Sequence, residues 1–489
     1  MIMTSQIKTT KRRTKIKSKI QYTTKLKYIF FISFLGIYLL GYSQDIYKYA
    51  ITFSSKGENN PYSVNKPKQF LSPRAIKRKK KMDIAITAED LPVNPNYISE
   101  LTKLIPNSRI VNKSRWFNHI IIQTSDTNWK TSIVLPDFVT NIKLIYSGKN
   151  PKATNTRLFS PSKTGDIISK KNAKKLTFDK SDFQIKSLNV HELHAKGFLG
   201  KNIHVAILDG GFSNVDKIEA FHHLRSENRI LGSWDFASNE PEVYGDGEHG
   251  TMVLGCMAGF VENKFLGTAP LASYWLFRTE DGATETVTEE YNWISAAEFA
   301  DSAGVDIINS SLGYTTFDKG IGSYSYKDMN GKTAIISRGA DKAVEKGILI
   351  VNSAGNSGND KWKYIGAPAD AEKVFSIGAI TKTKERARFS SFGPTSDGRI
   401  KPNVCALGYN SAVINSAGSV TEASGTSFSG PIMCGAIACL MNKHRFTRPE
   451  KLMNAIELSG SSADKPTNDL GYGIPDFLKA SGIISEKKK

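Results

Sequence analysis

Apolar positions along the chain fall into three textures, and each predicts a different kind of structure. Residues 45–147 carry strand-like segments at Ile46–Phe53, Arg109–Asn112, His119–Thr124 and Val139–Tyr146, with helical candidates at Ile98–Ile105 and Trp129–Leu135. The order β-α-β-β-α-β predicts a small α+β domain. Residues 148–186 are rich in Lys, Ser, Thr and Asn and show no periodicity, which predicts an exposed, protease-sensitive linker. From Leu188 onward, short apolar runs of the kind a buried parallel strand needs recur at Ile203–Leu208, Val305–Ile308, Ile348–Val351 and Val374–Ile377. Helical stretches such as Trp293–Ser302 and Thr333–Glu345 lie between them. This alternation predicts one α/β domain, a doubly wound and mostly parallel sheet with helices on both faces. Ligands of such sheets bind at the carboxyl ends of the strands.

The most apolar helical run lies in Ala423–Met441, A-S-G-T-S-F-S-G-P-I-M-C-G-A-I-A-C-L-M, with Ile432, Met433, Ala436, Ile437, Leu440 and Met441 at three- and four-residue spacing. Ser427 therefore falls at the start of a buried helix, where unpaired N–H groups and the positive end of the helix dipole point outward. A serine there is most often an N-cap; what gives it another meaning lies upstream.

Charge changes the picture at the other end of the chain. The 489 residues carry a net charge of +20, but residues 1–186 hold 35 Lys/Arg against 11 Asp/Glu while residues 187–489 hold 31 against 35. The excess sits in an N-terminal leader, a run at Lys77–Lys81 and the linker, and reads as solvated charge rather than a nucleic-acid face. Basic residues 1–27 precede an apolar run of about 14 residues, Tyr28–Gly41, short for a membrane span and suited to a signal-peptide core. Gly41 and Ser43 are small residues before a cut at Gln44, so a cleaved export signal is expected, with an uncleaved anchor as the alternative. Cys256, Cys405, Cys434 and Cys439 show neither C-x-x-C nor zinc-site spacing, and the sequence leaves disulfides and buried thiols equally open.

Four polar residues punctuate the α/β region. Asp209 ends the first strand in V-A-I-L-D-G-G-F, where a turn former is the plain reading; no G-x-G-x-x-G follows, which excludes a dinucleotide loop. His249, in G-D-G-E-H-G-T-M, stands at the mouth of a second buried helix. Asn356, in L-I-V-N-S-A-G-N-S-G, follows another strand; its side-chain N–H could donate to a developing oxyanion together with the N–H of Ser427. Each alone is weak. Asp, His, Asn and Ser in that order, each at a strand end or helix start among small residues, are not.

The set resembles the subtilisin-like serine proteases, the subtilases, in D-G-G at 209–211, H-G-T at 249–251, S-A-G-N at 353–356 and G-T-S-F-S-G-P at 425–431. Further matches are N-S-S-L-G at 309–313, G-A-P-A at 366–369, S-S-F-G-P at 390–394 and K-P-N-V at 401–404. The chain order Asp, His, Ser is the subtilisin order. The resemblance implies that Ser427 is the nucleophile, His249 the general base and Asp209 the residue that orients the imidazole, with Asn356 in the oxyanion hole. It implies that Ser311, Leu312 and Gly313, with Ser353, Ala354 and Gly355, pair with substrate backbone and wall the specificity pocket. Residues 45–147 look like the ferredoxin-like propeptide of exported subtilases, which assists folding and inhibits the enzyme until it is cut away.

The resemblance has departures. D-G-G replaces the commoner D-T/S-G, and Ser357 stands where some relatives carry an acidic residue facing the specificity pocket. Phe260–Gly267 lacks the Asn-rich calcium loop of well-known subtilisins, so calcium gains no support; no cofactor and no other metal are expected. The expected plan is a signal peptide at 1–43, a propeptide at 44–147, a linker with the maturation site at 148–186, the catalytic domain at 187–484 and a basic tail at 485–489, with no room for an accessory C-terminal domain. The expected product is a secreted, periplasmic or cell-surface monomer acting on polypeptides, with its own propeptide as inhibitor, and meeting a membrane only during export. A binding protein on the same fold whose catalysis has lapsed is the alternative.

Overall fold

The computed structural model describes residues 45–105, 107–149, 179–245, 247–318 and 322–486. The apolar run Tyr28–Gly41 and most of the expected linker lie outside them. Among the described residues no helix is long and apolar enough to cross a membrane.

Seven parallel strands form the main sheet, in the order Val404–Leu407, Phe375–Ile380, Leu349–Ser353, Ile307–Ser310, His204–Asp209, Ser273–Arg278, Ile230–Asp235. The first five strands of that row are buried at nearly every position on both faces, as strands of a parallel sheet covered by helices must be, whereas the last two are partly exposed. The chain runs outward in one direction from His204–Asp209 and then in the other from Ile307–Ser310, so the order reverses between these two neighbours. Their register pairs Leu208 with Ser310, which sets Asp209 and Ser311 side by side at the carboxyl edge. That edge, at the reversal, is where such sheets bind ligands. Three strands, Ile230–Asp235, Ser273–Arg278 and Val404–Leu407, escaped the periodicity reading; the other four begin one or two residues later than their apolar runs do.

Helix Thr426–Lys443 is buried at every position from Thr426 to Met441. A helix apolar all round can only be a core helix, and it packs with His249–Ala258 in the larger hydrophobic cluster. Helices Thr288–Ala303 and Ile335–Glu345 cover the other face. All four cysteines are buried and unbridged.

Residues 45–149 form a four-stranded antiparallel sheet in the order Arg109–Ser114, His119–Thr124, Asp45–Phe53, Val139–Lys149, the α+β arrangement expected. Ala50, Trp116, Ile121 and Ile145 share one hydrophobic cluster with Tyr291, Trp293 and Ile336, so this sheet packs on helices Thr288–Ala303 and Ile335–Glu345.

One expectation fails in part. Lys77, Lys80 and Lys81 are exposed, but Arg78 and Lys79 are buried: the run belongs to helix Pro73–Lys81, opened by Pro73 and by Ser72, whose hydroxyl accepts from the Ala75 N–H at 3.1 Å. Ala75, Arg78 and Lys79 face inward at helical spacing. Arg78 donates to the carbonyl of Val305 and pairs with Asp301, Lys79 lies 3.2 Å from the same carboxylate, and Arg115 reaches its other oxygen at 2.6 Å. Paired cations can be buried where bare ones cannot. The expected linker also ends early, since residues 179–186 form helical turns in which Gln184 is buried and accepts from the Ala412 N–H at 3.1 Å.

Candidate active site

Asp209 emerges from its strand fully buried. Its Oδ1 accepts from the Gly210 N–H at 2.8 Å and lies 2.8 Å from His249 Nδ1. A carboxylate only accepts, so Nδ1 carries the proton and Nε2 is left with its lone pair. His249 is the first residue of helix His249–Ala258, and its side chain keeps 40% of its surface exposed. The helix start can press against the D-G-G turn because Gly250 has no side chain: a Cβ there would sit 2.4 Å from the Gly211 carbonyl oxygen. The charge of Asp209 raises the imidazole pKa above its ordinary value of 6.5, burial works against it, and the hydrogen bond adds to the rise.

The His249 ring lies 5.9 Å from that of Phe428, the residue after Ser427. Ser427 is the second residue of its helix, behind the N-cap Gly425, and is 9% exposed. Among the described residues its hydroxyl makes no hydrogen bond to His249, which is common for such groups without substrate. Pro431 lacks the N–H that would close the first full turn on the Ser427 carbonyl. Ser311 Oγ donates there instead, at 3.1 Å. The helix break thus ties the serine to the edge of strand Ile307–Ser310.

Asn356 is exposed, and its Oδ1 accepts from the Thr426 N–H at 2.9 Å and the Thr426 hydroxyl at 3.0 Å. Because the backbone N–H can only donate, the amide must turn its Nδ2 the other way, with the N–H groups of the helix start nearby. Thr426 Oγ1 also accepts from the Gly355 N–H at 3.2 Å. Gly355 has φ +106° and a Cβ there would lie 2.9 Å from Ser391 Oγ, so glycine is required. Thr426 was missed as a site residue, although it stands inside the G-T-S-F-S-G-P motif; no spacing announces that it orients both neighbours.

Ser311–Gly313 and Ser353–Gly355 continue adjacent parallel strands. Asn352 Nδ2 donates to the Leu312 carbonyl at 3.0 Å and the Ser353 carbonyl at 2.8 Å, locking the two segments together. Every sequence-predicted site residue is thus gathered at one edge of the sheet. Among the described residues, no group of three or more His, Cys, Asp or Glu could hold a metal ion.

The profile of the subtilase family, peptidase S8, matches residues 200–474, and that of the peptidase S8 propeptide domain of Bacteroidota matches residues 48–160. Subtilisin NAT of Bacillus subtilis subsp. natto is 30% identical over 295 residues, 60% of this chain and 68% of its own. A subtilisin of Bacillus pumilus is 30% identical over 54% of this chain and 85% of its own. Among solved structures, MycP1 with its propeptide removed matches at 21% identity and TM-score 0.47, over 61% of this chain and 96% of that one. Together, the seven-stranded α/β fold and the two family matches define a serine endopeptidase that carries a propeptide domain. The chain belongs to the subtilase family.

Proposed function

We propose that the protein is an exported endopeptidase that matures by cutting its own linker, with Asp209, His249 and Ser427 as the triad. The observation that carries this reading is the 2.8 Å contact of His249 Nδ1 with the buried Asp209, beside the helix start that bears Ser427. In this reading Ser427 Oγ attacks a peptide carbonyl while His249 Nε2 takes its proton and then returns it to the leaving amine; Asp209 fixes the tautomer and steadies the imidazolium. Asn356 Nδ2 and the Ser427 N–H receive the oxyanion, a side-chain donor of this kind being worth about 3 kcal/mol of barrier. Substrate backbone pairs with Ser311–Gly313 and Ser353–Gly355. The plan is a signal peptide at 1–43, a propeptide at 44–147, a cut in the linker ahead of the helical turns at 179–186 and a monomeric catalytic domain from those turns to 484.

The test compares wild type with Ser427→Ala by mass spectrometry after export, alongside a fluorophosphonate serine probe. Wild type is expected to be labelled and trimmed in the linker, and the alanine variant to stay full-length and unlabelled. If both behave alike and neither is labelled, catalysis is not at Ser427 and a lapsed, peptide-binding relative is the better account.

A further inference from the structure

Tyr314 directly follows the segment Ser311–Gly313, and none of the roles above uses it. Its ring is buried and its hydroxyl donates to Glu280 Oε1 at 2.7 Å. The same oxygen accepts from Thr279 Oγ1 at 2.7 Å. Thr279 in turn donates its N–H to the Asp209 carbonyl at 3.0 Å. Glu280 flanks the D-G-G turn itself, since a Cβ on Gly210 would lie 3.8 Å from the Glu280 Cβ. The main chain of Tyr314 exchanges two hydrogen bonds with Ala367, at 2.8 and 3.1 Å. A second phenol repeats the pattern further on. Phe317 stacks on Tyr314 and meets Tyr324 edge-on, and the Tyr324 hydroxyl donates to both oxygens of Glu290, at 2.8 and 2.9 Å.

Tyr314 and Tyr324 are therefore pinned to Glu280 and Glu290 by phenol–carboxyl bonds. One of these ends beside the catalytic acid and begins one residue from the segment that receives substrate. A carboxyl oxygen accepts from a phenol whether the group is ionised or protonated, so the Tyr314 bond does not depend on the charge of Glu280. Its donor is buried, and a buried donor left without a partner is costly, which makes the link directional rather than incidental.

We propose that Glu280 and Tyr314 are positioning residues, a strut that holds Ser311–Gly313 in register with the Asp209 turn and so governs the binding of the substrate backbone. This rests on the protease reading above. A strut acting on substrate alignment changes KM and leaves the triad, and hence kcat, nearly untouched.

Two measurements test it on the full chain. Hydrogen exchange of peptides covering 311–317 is read in the Ser427→Ala background, with Tyr314→Phe, Glu280→Ala and Glu280→Gln added. Kinetics on a peptide substrate are read in the active background. Tyr314→Phe and Glu280→Ala should each speed exchange of 311–317 about tenfold and raise KM by a similar factor, with kcat within about twofold. Together they should cost no more than either alone, because they cut one link. Glu280→Gln keeps an acceptor oxygen and should stay within about twofold of wild type on both readouts. Unchanged exchange in Tyr314→Phe, additive losses, or a fall in kcat at constant KM would each overturn the strut. A wild type that no fluorophosphonate labels would remove the protease reading instead, and the exchange rates would still decide the strut.

Discussion

Asp209 and Asp301 are both fully buried carboxylates, yet they are furnished in opposite ways. Asp301 is saturated: Arg78 and Lys79 meet one oxygen, and Arg115 meets the other at 2.6 Å. Burial alone would raise its pKa, but Lys79, Arg115 and Arg78 outweigh burial and hold it below the ordinary carboxylate value. Asp209 uses Oδ1 for Gly210 and His249, while its buried Oδ2 has no partner among the described residues. Its one titratable partner, His249, keeps much of its ring in solvent. Three fixed cations around an acid make a joint. A single, half-exposed base beside an acid leaves that base free to gain and lose a proton, which is what catalysis needs.

The sharpest way to break the comparison is to neutralise each acid in turn. Asp209→Asn removes the negative charge and offers His249 an amide N–H that favours the wrong tautomer, and in serine proteases an exchange of this kind lowers kcat about ten-thousandfold without disturbing geometry. The rate of fluorophosphonate labelling should fall by a comparable factor while the unfolding midpoint stays put. A loss under about tenfold would place the working acid elsewhere.

Asp301→Ala should do the reverse. It takes the shared carboxylate from Arg78, Lys79 and Arg115 at the joint with helix Thr288–Ala303, leaving Lys79 with Asp90 at 3.3 Å, and breaking a buried pair by removing one partner costs about 3–5 kcal/mol. Urea unfolding of the full chain, held intact by Ser427→Ala, should show that loss. Molecules that do mature should take the probe at the wild-type rate. A change below about 1 kcal/mol would mean that the cluster is ornamental. Gly304 makes the joint close, because a Cβ there would lie 2.7 Å from the Ala75 nitrogen.

The two regions were not equally legible in the sequence. The edge that carries the proposed triad was readable because its residues lie in short motifs whose small neighbours have local causes: Gly250 lets a helix meet a turn, and Gly355 needs a positive φ. The joint was not. K-R-K-K-K looks like solvated charge, and only contacts more than 200 residues away, Arg78 to Asp301 and to Val305, turn it inward. The helix signature was present in Ser72-Pro73 and in the spacing of Ala75, Arg78 and Lys79, but two cations on the inner face hide it from any search for apolar periodicity. Strand Ile230–Asp235, at the sheet edge, is only half buried for most of its length, so it lacked the apolar run that revealed its neighbours. The strut from Tyr314 to Glu280 joins residues 34 apart and left no pattern at all.

The smallest expected effect separates the two kinds of buried group by pH. His249 is held above 6.5 chiefly by the charge of Asp209, so its contribution to stability is fully present below pH 6.5 and is lost as pH rises through its folded value. In the proposed mechanism activity runs the other way, because only a neutral imidazole could take a proton from Ser427. The acid limb of kcat/KM should therefore lie above pH 6.5 and fall about tenfold per pH unit below it. His119, buried against Tyr291 at the joint, is pushed down to about 3 by burial, with Lys56 adding to the shift. It stays neutral throughout that range, and acid instead erodes the stability of its site as pH drops from 6.5 toward 3. A profile of kcat/KM of the matured enzyme between about pH 5 and 9 reads the first, and unfolding of the full chain held intact by Ser427→Ala, followed toward lower pH, reads the second. An acid limb at or below 6.5 would show that the Asp209 charge is not felt at the ring; if the unfolding midpoint of the matured enzyme, which lacks His119, fell along with activity, the loss would belong to the fold and not to His249.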